Sequence, residues 1–284
     1  VIAVYILVPL IIVPQMLLSG VVVNYDKINK YVSSREFVPF VGDITASRWA
    51  YEALMVKQFS SNAFQRYYFD LEQQESNVKF NLLFAVPEVK KALENLKAGI
   101  KSEKTSDDAK FIATEIKNLN RQPGIHPISV RLNDLNGMIG EMDRLSDALS
   151  DKLDEITHRK DSLTKTLIRK FQGTDNYLAY KNYYYNNGLA EIVLKRKDLE
   201  PYAIVNNKII RQFEPVYQLP ASNCGRAHFL SASKNIGKYS LSTFSFNLLA
   251  LWAMSLLMYG LLCRVSLKKS SKPVHRIYFL RKRH

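Results

Sequence analysis

The chain has 284 residues, of which 47% are hydrophobic and 23% charged, and its formal net charge is +14. Residues 1–25 and 240–263 contain no Asp, Glu, Lys or Arg. A soluble domain of this size rarely contains two such windows, so the composition argues against an ordinary soluble protein and favours a membrane protein.

The first window, residues 1–25, predicts a transmembrane helix. Pro9, Pro14 and Gly20 interrupt it, and such breaks need protein or water nearby to satisfy the freed backbone carbonyls. We therefore expect this helix to face other helices as well as lipid. A secretory signal peptide is the alternative, but the segment has no initiator Met, no basic n-region and no clear cleavage site. The pattern suggests a chain that begins within or just before a span.

Residues 26–60 are aromatic and amphipathic, and they predict short helices at the outer membrane surface. Four side chains recur at helical spacing and form the expected buried face: Trp49, Ala53, Val56 and Phe59. Arg48 and Lys57 lie elsewhere on this helix, as a helix at the membrane surface requires.

Residues 61–200 predict a helical insert. Within residues 131–172, apolar side chains follow alternating steps of three and four, a heptad pattern. They are Leu135, Ile139, Met142, Leu149, Leu153, Ile156, Leu163 and Leu167. The shorter helical segments 86–97 and 107–120 could cover this seam. Two shapes remain open: a helical hairpin that projects from the membrane, and a compact helical domain.

Residues 201–240 contain several Pro and Gly residues and predict an irregular return to the membrane. Residues 241–263 predict a second span, because the apolar stretch 243–263 makes a helix about 32 Å long. The tail 264–284 carries Lys and Arg but no acidic residue. The positive-inside rule therefore places the C-terminus in the cytoplasm and residues 26–240 in the periplasm or extracellular space. Orientation and anionic lipids explain this tail better than nucleic acid, which we do not expect as a partner.

The sequence contains no motif typical of catalysis, cofactor binding or metal binding. It has no phosphate-binding loop, no GxSxG elbow, no HExxH and no paired-cysteine motif. The five histidines lie far apart, and Cys224 and Cys263 are predicted on opposite sides of the membrane, so we expect no intrachain disulfide. We expect no catalytic, cofactor or metal residues, and the chain by itself does not look like an enzyme.

Two strings are more specific. Residues 13–29 read VPQMLLSGVVVNYDKIN, and residues 39–59 read PFVGDITASRWAYEALMVKQF. They resemble the end of the fifth transmembrane helix and the re-entrant segment of permeases in ATP-binding-cassette exporters of the G (White and pleiotropic drug resistance) subfamily. In that family a Ser-Gly pair ends an apolar helix, and an aromatic-x-Glu-Ala-Leu helix follows. The span 241–263 then resembles the sixth helix.

This resemblance implies an all-α membrane protein with two transmembrane helices flanking a large external, mainly helical domain. It implies a dimer with a second permease half, identical or different, and a separate nucleotide-binding domain that holds ATP and Mg. Trp49, Glu52 and Phe59 would lie in the re-entrant helix. The residues implied to line the substrate path or its gate are Ile12, Val13, Met16, Val21 and Val22. Packing of these side chains in lipid is the alternative.

The sequence departs from the family at two points. The external segment is much longer than is usual in the family, and it contains one cysteine, Cys224. The helical insert is expected to dock a periplasmic or outer-membrane partner. The alternative function is a two-span membrane scaffold with an external coiled coil, similar to polysaccharide chain-length regulators. A sensor between two spans is a third possibility, but the tail offers no output module.

Overall fold

The structure is a computed structural model that describes residues 2–20, 25, 36–100, 107–122, 124–196 and 200–270. The chain is mostly helical. The helices are α1 (Ile2–Leu17), α2 (Phe40–Ile44), α3 (Ala46–Ser60), α4 (Phe69–Phe80), α5 (Val86–Ala98), α6 (Asp108–Asn120), α7 (Leu135–Lys170), α8 (Thr174–Tyr184), α9 (Asn187–Leu194) and α10 (Thr243–Ser270). The π-helical turn Asn81–Ala85 joins α4 to α5, and short 3-10 turns occupy Gln65–Tyr67 and Pro215–Tyr217.

The long heptad helix is confirmed as α7. Asp134 caps its start by accepting a hydrogen bond from the Gly137 amide at 2.9 Å. Its seam packs on α4 and α5, and α6 packs on α5. The two segments expected to cover the seam are α5 and α6, and of these only α5 covers it extensively. The helix α4 also covers the seam, a contact that the pattern did not predict.

The seam of α7 is buried along its length, which favours the compact domain over a projecting hairpin. Met142, Leu149 and Ile156 belong to one apolar core, together with residues of α5 and α6. Leu167 belongs to a second core with Phe64, Tyr68 and Tyr177. A third core lies closer to the apolar helices, and it includes Val56, Phe59, Val193, Val216, Tyr217 and Leu230.

The return segment 201–240 is more regular than predicted. It contains the strands β1 (Tyr202–Val205), β2 (Lys208–Arg211) and β3 (Ser233–Ile236), and β4 (Tyr239–Ser242) follows directly. They pair as two antiparallel hairpins, β1–β2 and β3–β4. In the first hairpin, Asn206 and Asn207 both have positive φ, at 52° and 58°, which suits a tight primed turn. The expectation of an all-α protein is therefore too simple.

In the described part of the chain, one helical segment is long and apolar enough to cross a membrane, residues 243–266 of α10. The large apolar side chains of this helix from Leu248 onward are mostly exposed, and an apolar surface of this size is typical of contact with a membrane or with another protein. The structure describes residues 2–20 and 25 of the predicted first span. The apolar part of α1 within it, Tyr5–Leu17, is shorter than a membrane span. Tail residues 271–284 lie outside the described residues.

Candidate functional site

The re-entrant residues predicted from the sequence lie on α3, between the ends of the two apolar helices. Trp49 and Glu52 meet α10 at its first turns, whereas Phe59 lies farther along α3 in the third core. Trp49 contacts Phe246, and Lys57, two turns later on α3, lies beside Phe244. The helices α3 and α10 therefore run in opposite directions.

Glu52 is the centre of a buried ionic cluster. Its side chain is 0% exposed. Its Oε2 atom accepts hydrogen bonds from Arg48 Nη1 at 3.0 Å, Lys234 Nζ at 2.7 Å and Asn247 Nδ2 at 2.8 Å. Oε1 lies 3.3 Å from the Leu230 amide. We call Arg48, Glu52, Lys234 and Asn247 the junction cluster, because they join α3, β3 and α10.

Arg48 is placed differently from the sequence interpretation, which kept it off the buried face. The structure buries it to 1% exposure. Three acceptors compensate this burial: Glu52, Asp43 at 2.5 Å and the Gly42 carbonyl at 3.3 Å. A buried guanidinium is tolerated when its donors are paired in this way. Lys57 remains exposed, as expected.

Aromatic rings complete the junction cluster. The Lys234 ammonium lies 4.8 Å from the centre of the Trp49 ring and 5.3 Å from that of Phe246. Both distances allow a cation–π attraction that partly replaces lost hydration. The Trp49 indole N–H donates to the Asp43 carbonyl at 2.8 Å, which fixes the ring.

The partners keep Glu52 ionised. Burial alone would raise the pKa of this carboxyl, but Lys234 and Arg48, together with hydrogen bonds from Lys234 and Asn247, bring it below its ordinary value. Burial lowers the pKa of Lys234, and the attraction of Glu52 opposes that effect. The cluster therefore holds α3, β3 and α10 together through paired charges. Arg48, Glu52 and Lys234 are each already engaged in an ion pair.

The first turn of α10 is fixed by the same region. The Thr243 amide donates to the Ala232 carbonyl at 2.9 Å, and its hydroxyl donates to the Ser231 carbonyl at 2.5 Å. Asn247 also donates to the Trp49 carbonyl at 3.1 Å. These bonds attach the first turns of α10 to residues 231–232, directly before β3, and to α3.

The end of α1 is attached to the same helix α3. The Ser47 hydroxyl donates to the Gln15 carbonyl at 2.7 Å, and the Tyr25 hydroxyl donates to the Leu18 carbonyl. These are carbonyls at the C-terminal end of a helix, which lack partners within the helix. Pro9 and Pro14 free the carbonyls of Tyr5 and Leu10 farther up the helix, so the expectation that nearby protein or water satisfies those carbonyls stays a prediction.

The predicted gate residues are only partly described. Ile12, Val13 and Met16 lie on α1 with about half of each side chain exposed. The residues that the structure describes leave these apolar side chains partly uncovered. Val21 and Val22 lie outside the described residues.

Two members of the junction cluster were missed from the sequence. Lys234 and Asn247 lie far from α3 along the chain, so no local spacing connects them with Glu52. Asn247 could have been recognised from the sequence, because an amide side chain inside an apolar span indicates a hydrogen-bonding partner. Arg48 and Glu52 also stand at i and i+4, a spacing that pairs charges on a helix.

No known family model, curated protein or solved structure matches the chain.

Proposed function

We propose that this chain is part of the permease of an ATP-binding-cassette exporter and moves substrate outward across the inner, or plasma, membrane. In this proposal α1 and α10 cross the membrane, and α3 is the re-entrant element between them. A nucleotide-binding domain outside this chain binds ATP and Mg and hydrolyses the nucleotide. The observation that carries the proposal is the position of α3, tied by buried polar contacts to α10 and by the Ser47 bond to α1.

The direction of α3 supports a re-entrant element. Because α3 runs opposite to α10, the start of α3 points along α10 toward its apolar stretch, and the last turn of α3 lies beside Phe244 at the start of α10. Exposed apolar side chains also surround the start of α3: Phe40 is 73% exposed and Ile44 63%. Such side chains suit contact with lipid or with membrane helices.

The surface of α1 supports a second permease half as partner. Ile12, Val13 and Met16 share one side of the helix and remain half exposed. In a dimer this side would face the two-fold axis, where apolar side chains form a dry path that hydrated solutes cross poorly. Such a lining suits amphipathic substrates better than ions.

The junction cluster would couple the membrane to the outside. Because α10 is fixed to α3 and β3 at its first turn, a displacement of α10 would move the external domain as one body. The basic tail supports a C-terminus in the cytoplasm and an external domain in the periplasm or extracellular space. There the domain would dock a periplasmic or outer-membrane partner.

The test is purification of the chain from its native membranes with an affinity tag inserted between α7 and α8. The exporter proposal expects a complex that hydrolyses ATP, with vanadate-sensitive activity, and a nucleotide-binding domain either on the same polypeptide or in a co-purifying subunit. A product of about 32.6 kDa without ATPase activity would overturn the proposal and favour the two-span scaffold.

A matched pair of cysteine variants tests the path in the same complex. With Cys224 and Cys263 replaced by Ser, Met16→Cys should cross-link to the second permease half and inhibit ATP-driven export. Ile11→Cys, on the opposite side of α1 within about the same two turns, should do neither. Equal cross-linking of both variants would contradict the assigned face.

A further inference from the structure

A cavity of about 220 Å³ lies in the external domain, away from the junction cluster. Its walls come from the end of α4, the π turn, α6, β2 and the segment around Leu219. Phe80, Leu119 and Ile210 give it apolar surface, whereas Glu115 gives it a buried carboxylate. The volume is below the roughly 300–1,000 Å³ of sites for drug-sized ligands, so any occupant is small.

Only one of the two carboxylate oxygens of Glu115 accepts hydrogen bonds from residues that the structure describes. The residue is 4% exposed. Its Oε1 atom accepts from the Ile209 amide at 2.9 Å and from Asn118 Nδ2 at 3.2 Å. Oε2 forms no hydrogen bond or ion pair with any residue that the structure describes, and Glu115 lines the cavity. An unpaired oxygen on a carboxylate of an almost buried residue favours a ligand that brings a donor or a positive charge.

Glu115 does not share in the ion pair beside it. Lys208 pairs with Glu36, and this ion pair lies in the cavity wall together with Glu115. Glu115 therefore does not receive a cationic partner from Lys208.

The other charged groups of the wall do not supply a cationic partner either. Arg211 is paired with Glu214 at 2.9 Å, and its remaining nitrogens donate to Ser76, Asn77 and Phe213. Arg121 is exposed to solvent at the end of α6. The His228 ring, also in the wall, has its Nδ1 atom 2.9 Å from the Phe229 carbonyl.

We propose that this cavity binds a small organic cation whose ammonium or guanidinium group pairs with Oε2 of Glu115. The apolar walls hold the hydrocarbon part of the ligand. A metal ion fits less well, because no group of three or more His, Cys, Asp or Glu residues suited to a metal occurs in the described residues.

Burial raises the pKa of Glu115 to about 7, although the Ile209 and Asn118 hydrogen bonds oppose the shift. A cation binds the ionised form, so binding competes with a proton. Between pH 6 and pH 8 the ionised fraction rises about tenfold, and the affinity should rise by the same factor.

The experiment is calorimetric titration of the full chain in lipid nanodiscs, with empty nanodiscs as the blank. The probes are n-butylamine, which stays protonated through this pH range, and n-butanol, which has nearly the same size and shape without the charge. We expect n-butylamine to bind at pH 8 at least about tenfold more tightly than n-butanol, and to weaken about tenfold at pH 6.

Glu115→Gln keeps an acceptor for Ile209 and Asn118 but removes the charge, so it should abolish the preference for the amine. Glu94→Gln, at an exposed carboxylate of α5, should leave binding unchanged. Equal binding of amine and alcohol, retention of the preference in Glu115→Gln, or no binding at all would overturn the proposal. If Glu115→Gln does not fold, the pH series on the native chain decides: an affinity that does not change with pH refutes the pairing.

Discussion

Glu52 and Glu115 are both almost completely buried, but their electrostatic surroundings are opposite. Glu52 has two cationic partners, Arg48 and Lys234, within hydrogen-bond distance. Glu115 receives hydrogen bonds only from neutral groups, and both of these reach the same oxygen.

The difference shows that burial by itself does not set the charge of a carboxylate. Burial raises the pKa of both residues, but in Glu52 the partners outweigh this effect, whereas in Glu115 they do not. Glu52 is therefore a permanent charge that holds elements together. Glu115 changes its charge near neutral pH, a property suited to a ligand that competes with protons.

The largest effect is expected from Glu52→Gln. This variant leaves the buried Lys234 and Arg48 without their shared carboxylate, so it should lower the free energy of unfolding by about 3–5 kcal/mol. Denaturant unfolding in detergent, followed by Trp49 fluorescence, measures the loss at the junction. Because Trp252 also contributes to the signal, the comparison is repeated in a Trp252→Phe background.

Glu94→Gln is the control for this variant and should stay within about 0.5 kcal/mol of the native chain. A double variant, Glu52→Gln with Lys234→Met, should recover part of the loss, because it removes one of the unpaired charges. A loss below about 1 kcal/mol in Glu52→Gln would show that water reaches the cluster, and the contrast with Glu115 would then disappear.

The second prediction concerns the pH dependence caused by Glu115. The unfolded chain releases this proton near pH 4.5 and the folded chain near pH 7, so the folded state holds more protons between these values. Stability contributed by this residue therefore falls as pH rises from 4.5 to 7, by about 3 kcal/mol, and stays constant above that. The contribution of Glu52 to stability depends on pH in the opposite direction, because it is lost only as pH falls through the lowered pKa of this residue.

Glu115→Gln, a mimic of the protonated form, isolates this contribution. It should match the native chain at pH 4 and exceed it in stability at pH 8. The measurement is the difference between the two unfolding free energies across that range. Parallel curves for the two proteins would mean that Glu115 does not change protonation near neutrality.

The sequence predicted the helices better than the charged sites, for a physical reason. Heptad spacing is local, so α7 and the helices near it could be recognised from periodicity. The junction cluster depends on the β3–β4 hairpin, which brings Lys234 to α3 across a long separation along the chain. Helical spacing cannot predict a contact between residues so far apart in sequence. Within the cluster, it could predict only the pair of Arg48 and Glu52, which lie one helical turn apart.

Glu115 left a signal in the sequence. Ile112, Ile116 and Leu119 form the buried stripe of α6, and Glu115 occupies a position within the same stripe. A carboxylate on an apolar stripe predicts an altered pKa or a partner in the core. The Asn206–Asn207 turn of the first hairpin was likewise visible, but the Pro and Gly residues around it favoured an irregular interpretation.

The smallest expected effect separates the aromatic part of the junction from its ionic part. Trp49→Phe removes the indole N–H bond to Asp43 but keeps a ring beside Lys234, so it should cost about 0.5–1.5 kcal/mol. Trp49→Leu removes the ring as well and should cost about 0.5–1 kcal/mol more.

Unfolding is followed by circular dichroism, with Trp252→Phe on the exposed surface of α10 as the control. Equal losses for Phe and Leu would mean that the ring does not help to hold the Lys234 charge. Glu52 and Asn247 would then be sufficient, and the contrast with Glu115 would be purely a matter of ionic partners.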